Sequence, residues 1–428
     1  MNAFEIAIED WIAREHGDEI ARATLGQLEL RCGERFLTLL EDRIARTNRT
    51  FANLSAYDLA VWLASNWWRL RWEPERKDTD WLMSHSLAAI GNGYIWPNVT
   101  VLSDGEQIQV QTRPTSGRRW EPVRYLENWD CVLSVGEFEL AIDAFVESVL
   151  ARLANLRILG TELQLMWEEL HVERRDPEVA SVRMLEALLG LDAGAAPDAV
   201  IDALYLNAQK EGRAAVDEVV AEFRGATSEI LELVDETIQV QGTRLDSSNV
   251  NDLSRQRDAW SVEGPPWKRG ERAAKMAREI WHMDGRPVVN AVLAGLVGAD
   301  VGLITGRPST NVPMAAAKWT TPDREAWKVV LRSHYNEGKR FELCRLIGDC
   351  LIAPEGEVLL PATRAKTSRQ KFQRAFAQEF LCPFEALLER LGSLPPDDDE
   401  IESAARHFGV SALLIRSTLA NKDILPRF

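Results

Sequence analysis

Two groups of residues have the types and spacing to do chemistry. Between Arg340 and Pro383, Arg345 and Asp349 stand four apart in a stretch of helical periodicity, the spacing of an intrahelical ion pair. Just beyond, Arg364, Lys366, Arg369, Lys371 and Arg374 form the densest basic run in the chain. Such a run can receive an anionic group, either a phosphate or a partner's acidic helix, or it can be a solvated helix face beside a structural Arg345–Asp349 plug. In the N-terminal part, Trp67, Trp68 and Trp72 alternate with Arg69 and Arg71. Stacking planes plus cations hold single-stranded nucleic acid, whereas tryptophans at helical spacing build cores with arginines snorkelling at the rim. Because this part of the chain is net acidic, the set suits an interface with a protein partner better than one with a polyanion.

Other reactive residues are dispersed. His282, His334 and His407 lie in the C-terminal part, none of them four residues from a second ligand-type side chain on the Arg340–Pro383 helices. Cys32, Cys131, Cys344, Cys350 and Cys382 are odd in number and never form a CxxC pair, so neither a disulfide framework nor a zinc knot is indicated and a reducing cytoplasm is expected. Gly295, Gly298, Gly302 and Gly306 lack the lysine of a phosphate loop, and no GxSxG or GxGxxG motif is present.

The elements that must position these residues follow from periodicity. Arg340 to Ile352 and Ser368 to Leu381 each predict a helix, the second with Phe372, Phe376 and Phe380 on its apolar side. WKVVLRS, from Trp327, predicts a strand before them, and HFGVS around Gly409 a tight joint between two tail helices. In the N-terminal part the pattern predicts a hairpin turning at Asp104-Gly105, a helix over Ala56–Trp72 and another over Phe138–Leu156. The expected fold is α+β and mainly helical. It has a mixed α/β N-terminal domain over 1–158, an acidic helical bundle over 159–250, a linker over 251–268 and a C-terminal domain over 269–428.

Charge is spread unevenly. The net value is −16, with 9 basic against 22 acidic residues over 159–264 and 24 against 20 over 265–428. The acidic segment is either a set of solvated helix faces or a cover for a basic face of the C-terminal domain. The longest apolar run, Val288–Ile304, carries Asn290, Asp300 and three glycines and is too short and polar to span a bilayer. No membrane association is expected.

One stretch carries a family resemblance. The strand, Arg340-Phe341-Glu342-Leu343, Gly348, then Phe376-Ala377-Gln378-Glu379-Phe380-Leu381-Cys382-Pro383 and Phe408-Gly409-Val410-Ser411, resembles in order and spacing the ImmA/IrrE family of zinc peptidases. The match covers roughly 270–425 and implies a zincin-like domain. In register with the family's HExxH helix and third ligand stand Arg345, Leu346, Asp349 and Gln370. Arginine has no lone pair for a metal, leucine cannot take a proton, and one Asp with one Gln makes a poor zinc site. The resemblance therefore implies a degenerate, metal-free pseudo-peptidase without a cofactor, acting through a protein partner in regulation or scaffolding. Family settings are phage defence, mobile-element control and stress response. The alternative is an enzyme or nucleic-acid-binding protein with a site rebuilt in the C-terminal cleft or the N-terminal domain. The tail helix SALLIRSTLANK offers only Arg416 and Lys422 as cations for DNA.

Overall fold

The computed structural model describes residues 4–13, 17–76, 78–116, 120–225, 228–239, 241–256, 263–307 and 312–426. The chain is mixed α+β, about 51% helix and 17% strand. It divides into two compact units, Met1–Pro197 and Asp198–Phe428. The division differs from the boundaries expected at 158, 250 and 268. Helices Glu162–Arg175 and Pro177–Leu188 carry Leu163, Trp167, Leu170 and Ala187 into the core of the first unit. Strand Thr243–Asp246 and helix Ser248–Ser254 put Leu245, Val250 and Leu253 into the core of the second. The stretch expected to be a linker thus overlaps the end of one helix and the start of another, Pro266–Ile280, while 257–262 lie outside the described residues.

In the first unit, Phe4–Trp11, Leu25–Cys32 and Ala52–Ser55 belong to one antiparallel sheet, and Asn98–Ser103, Gln107–Arg113 and Trp129–Ser134 to another. The expected hairpin is present. Gly105 takes φ 92°, and the Asp104 carboxylate accepts from the backbone N–H of Glu106 and Gln107 at 3.0 and 2.8 Å, closing the turn. Helix Val135–Asn155 opens with a capping box between Ser134 and Glu137 and buries Phe138, Ile142, Phe145 and Val149. The helix expected over 56–72 is two, Ala56–Ser65 and Trp67–Trp72. Asn66 leaves helical geometry between them, its side-chain amide donating to the Trp62 carbonyl at 2.8 Å.

The second unit is built on a four-stranded antiparallel sheet ordered Thr243–Asp246, Ala326–Val330, Ala315–Trp319, Leu359–Ala362. Against it lies helix Asn336–Ile352, and against that helix Ser368–Leu381, which Thr367 caps. Two glycines permit close packing. A Cβ on Gly348 would stand 3.0 Å from the Phe376 ring, and one on Gly270, in Pro266–Ile280, would stand 2.5 Å from the Phe372 carbonyl oxygen. The tail joint forms as expected: helix Asp398–Phe408 ends at Gly409 with φ 63°, and Ser411 caps Ala412–Asn421. Buried Arg340 secures the joint by donating to the carbonyls of Val288 and Phe408 and to Asn290. No helix among the described residues is long and apolar enough to cross a membrane.

Candidate functional site

The residues singled out around Arg345 do converge, with different partners from those their spacing suggests. Asp349, fully buried, does not pair with Arg345. Its two carboxylate oxygens accept from Nε and Nη2 of Arg369 at 2.7 and 2.8 Å, a bidentate fork contributed by the neighbouring helix. The third Arg369 nitrogen, Nη1, donates to Glu357 Oε2 at 2.8 Å. A fork that engages both oxygens at once wins over a single contact along one helix. Burial works against the Arg369 charge, but Asp349, Glu357 and Glu218 more than offset it and hold its pKa above the ordinary arginine value.

Arg345, 6% exposed, turns toward the sheet edge instead. Its Nη2 donates to the Thr363 carbonyl and to the side-chain oxygens of Gln370 and Gln373. Both glutamines in turn donate to the Pro361 carbonyl, at 3.1 and 3.0 Å, and Gln370 Oε1 also accepts from the Thr363 N–H at 3.0 Å. Gln370 therefore ties helix Ser368–Leu381 to edge strand Leu359–Ala362, and its lone pairs are already used. Leu346 is packed in the core. Burial, with repulsion from Arg374, lowers the Arg345 pKa to about 9, and Glu342 and Asp349 offset part of this.

The basic run is largely engaged by partners within the chain, although Arg364 itself is exposed. The Arg364 Nε and backbone N–H donate to Glu222 at 2.7 and 2.6 Å, and Arg374 Nη2 donates to the Ala365 carbonyl at 2.8 Å. Lys371 stands over the Trp267 ring at 6.0 Å, and Lys366 is half-buried. A row of five exposed cations is therefore not what the fold displays, because Arg369 points inward.

What faces the run is helix Arg213–Glu222, which its sequence marks only as part of an acidic segment. Its Glu218 accepts from the Thr367 hydroxyl at 2.7 Å, and Glu222 takes Arg364. Asp217, paired with Arg213 at 3.2 Å, is pushed up to about 7 by burial, which the arginine only partly counters. Burial likewise raises Glu218 and Glu357, with Arg369 opposing it. Just before this helix, Glu211 receives Lys318 at 2.7 Å. The signal available in the sequence was the acidity of 159–264, and this part of it does lie over basic residues of the second unit.

Among the described residues no group of three or more His, Cys, Asp or Glu side chains could hold a metal ion. His282, His334 and His407 are all exposed. Glu342 accepts from the N–H groups of Arg332 and Ser333 at 2.8 and 3.0 Å, and Glu379 from that of Phe384 at 3.2 Å, both of them positioning roles. All five cysteines are buried thiols.

In the first unit the aromatic–cation set is mostly interior. Trp67, Trp68 and Arg69 are 5, 7 and 8% exposed. Trp68 Nε1 donates to Glu173 at 2.9 Å, Arg69 Nε to Glu73 at 2.8 Å and Arg71 Nε to Glu139 at 3.1 Å, with the Arg71 guanidinium 3.9 Å above Trp72. The set expected as a partner interface is thus largely a core with paired arginines, the rings burying their large apolar faces.

Comparison with known proteins finds no matching family model, no matching curated protein and no matching solved structure.

Proposed function

We propose that the second unit is a non-catalytic recognition module, a pseudo-peptidase in the mould of the ImmA/IrrE proteins, serving as a regulatory or scaffold component. Its setting would be phage defence, mobile-element control or stress response, and its partner a protein. The observation that carries this reading is the Arg369–Asp349 fork. The one carboxylate at a ligand position has both oxygens engaged by a guanidinium, and the position of the first family histidine holds an arginine. Freeing Asp349 for a metal would leave Arg369 buried with fewer partners, a loss of about 3 kcal/mol or more. Leu346 offers no general base where the family has glutamate.

The element order supports the same reading: strand Ala326–Val330, helix Asn336–Ile352, helix Ser368–Leu381 and the tail follow as in the family the chain resembles, and Gly348, in register with the family's motif glycine, packs against Phe376. Incubating the purified chain with peptide mixtures, with and without added zinc, is expected to release no new amino termini. Zinc-dependent cleavage that disappears in D349A would contradict the proposal.

A further inference from the structure

Arg345 is a buried cation of the second unit's polar core that has only neutral hydrogen-bond acceptors. No carboxylate lies within ion-pair distance of it, unlike Arg369, and only Nη2 carries its three hydrogen bonds. Its Nε is buried with no acceptor. A buried guanidinium left in this condition is costly unless something anionic visits it. The same side chain forms part of the wall of a cavity of about 730 Å³ beside the N-terminal half of helix Asn336–Ile352. Arg332 and His334, both exposed, line it too, together with Tyr335, Glu342 and Glu236.

Neither acid on the wall forms an ion pair with Arg345. Glu342 is committed through one oxygen to two backbone N–H groups, those of Arg332 and Ser333. Glu236 is exposed, where solvent screens its charge. The basic side chains are placed differently: Arg345 is buried and held by Gln370 and Gln373, and Arg332 and His334 are exposed. A buried, held guanidinium with an exposed arginine and an imidazole on the same wall is an arrangement that captures a planar or tetrahedral oxyanion.

We infer that this cavity is an oxyanion-binding site, with Arg345 as its buried anchor and Arg332 and His334 closing over a carboxylate or phosphate group of a small ligand. The inference rests on the recognition reading for the role of the cleft and adds the chemistry that it recognises.

The test uses the full chain, with calorimetry and thermal unfolding in inorganic phosphate or in succinate against chloride at equal ionic strength. Wild-type protein is expected to bind at least one of the two anions and to unfold at a higher temperature in its presence. Binding of phosphate alone assigns a phosphoryl ligand, and binding of succinate alone a carboxylate. R345M is expected to lose affinity at least tenfold, the scale of one charge-assisted contact. Should R345M not fold, R345K, which keeps the charge and loses the fork, is expected to show the same loss in lesser degree. H334A, at an exposed position, is expected to weaken binding about threefold and E236Q to strengthen it. The inference is overturned if wild-type protein binds neither anion at millimolar concentration, or if R345K and H334A bind as wild type does. Either result would leave the peptide-cleavage test unaffected, so failure of the ligand chemistry and failure of the non-catalytic reading are separable.

Discussion

At Arg345 and Asp349 the spacing in sequence says which side chains can meet along one helix, and the structure shows that neither chooses that partner. Arg369 reaches Asp349 from the next helix with two parallel hydrogen bonds, and no periodicity within Arg340–Ile352 encodes that. D349N is therefore expected to destabilise the chain by about 3 kcal/mol in urea unfolding, because it removes the charge that compensates a buried guanidinium. A value near zero would mean that Glu357 and Glu218 suffice.

Asp217 carries a prediction of its own. Its carboxyl titrates near 7 in the folded chain, above the ordinary aspartate range, so at intermediate pH the folded state holds a proton that the unfolded state has released. Stability from this group is then present at low pH and declines as pH rises from about 4 to about 7. Arg213, Glu218 and Glu357 face it and couple to it. D217N is expected to flatten that decline by about 1 kcal/mol or more between about pH 5 and pH 8. Unfolding midpoints measured at the two values check the sign, and an unchanged slope would contradict it.

Among the elements, those with strong local signals are legible and those specified by distant partners are not. Helix Ser368–Leu381 follows from Phe372, Phe376 and Phe380 at four-residue spacing plus the Thr367 cap, and the tail joint from Gly409 and Ser411. Strand Thr243–Asp246 is four residues long, with only Leu245 buried, and exists through its pairing with Ala326–Val329. The break at Asn66 depends on a side-chain hydrogen bond to Trp62, which apolar spacing does not report. The acidic helix Arg213–Glu222 was visible as charge, but its seat on Arg364 and Thr367 depends on tertiary packing. The close approach of Pro266–Ile280 to Ser368–Leu381 gives the prediction at this scale. G270A places a methyl 2.5 Å from the Phe372 carbonyl oxygen and is expected to cost about 2 kcal/mol, read as a lower urea midpoint. A neutral result would show that the two helices can separate.

At the scale of the molecule, the described residues form one hydrophobic core in each unit. Composition could not locate the division, because the acidic helices on either side of Pro197 look alike in sequence and differ only in what they bury. Trp167 and Leu170 belong with Phe145 and Trp68, so a fragment ending at 158 is expected to aggregate or lack cooperative unfolding, while one ending at 197 unfolds cooperatively. Circular dichroism of the two fragments distinguishes the cases.

The proposed recognition role of the second unit requires that Arg345, Asp349 and Gln370 serve internal hydrogen bonds and not a metal. Zinc titration of the purified full-length chain by calorimetry, with elemental analysis after dialysis, tests it most directly. The prediction is no tight binding and zinc well below stoichiometric amounts; stoichiometric zinc that is lost in D349A or H334A would contradict it.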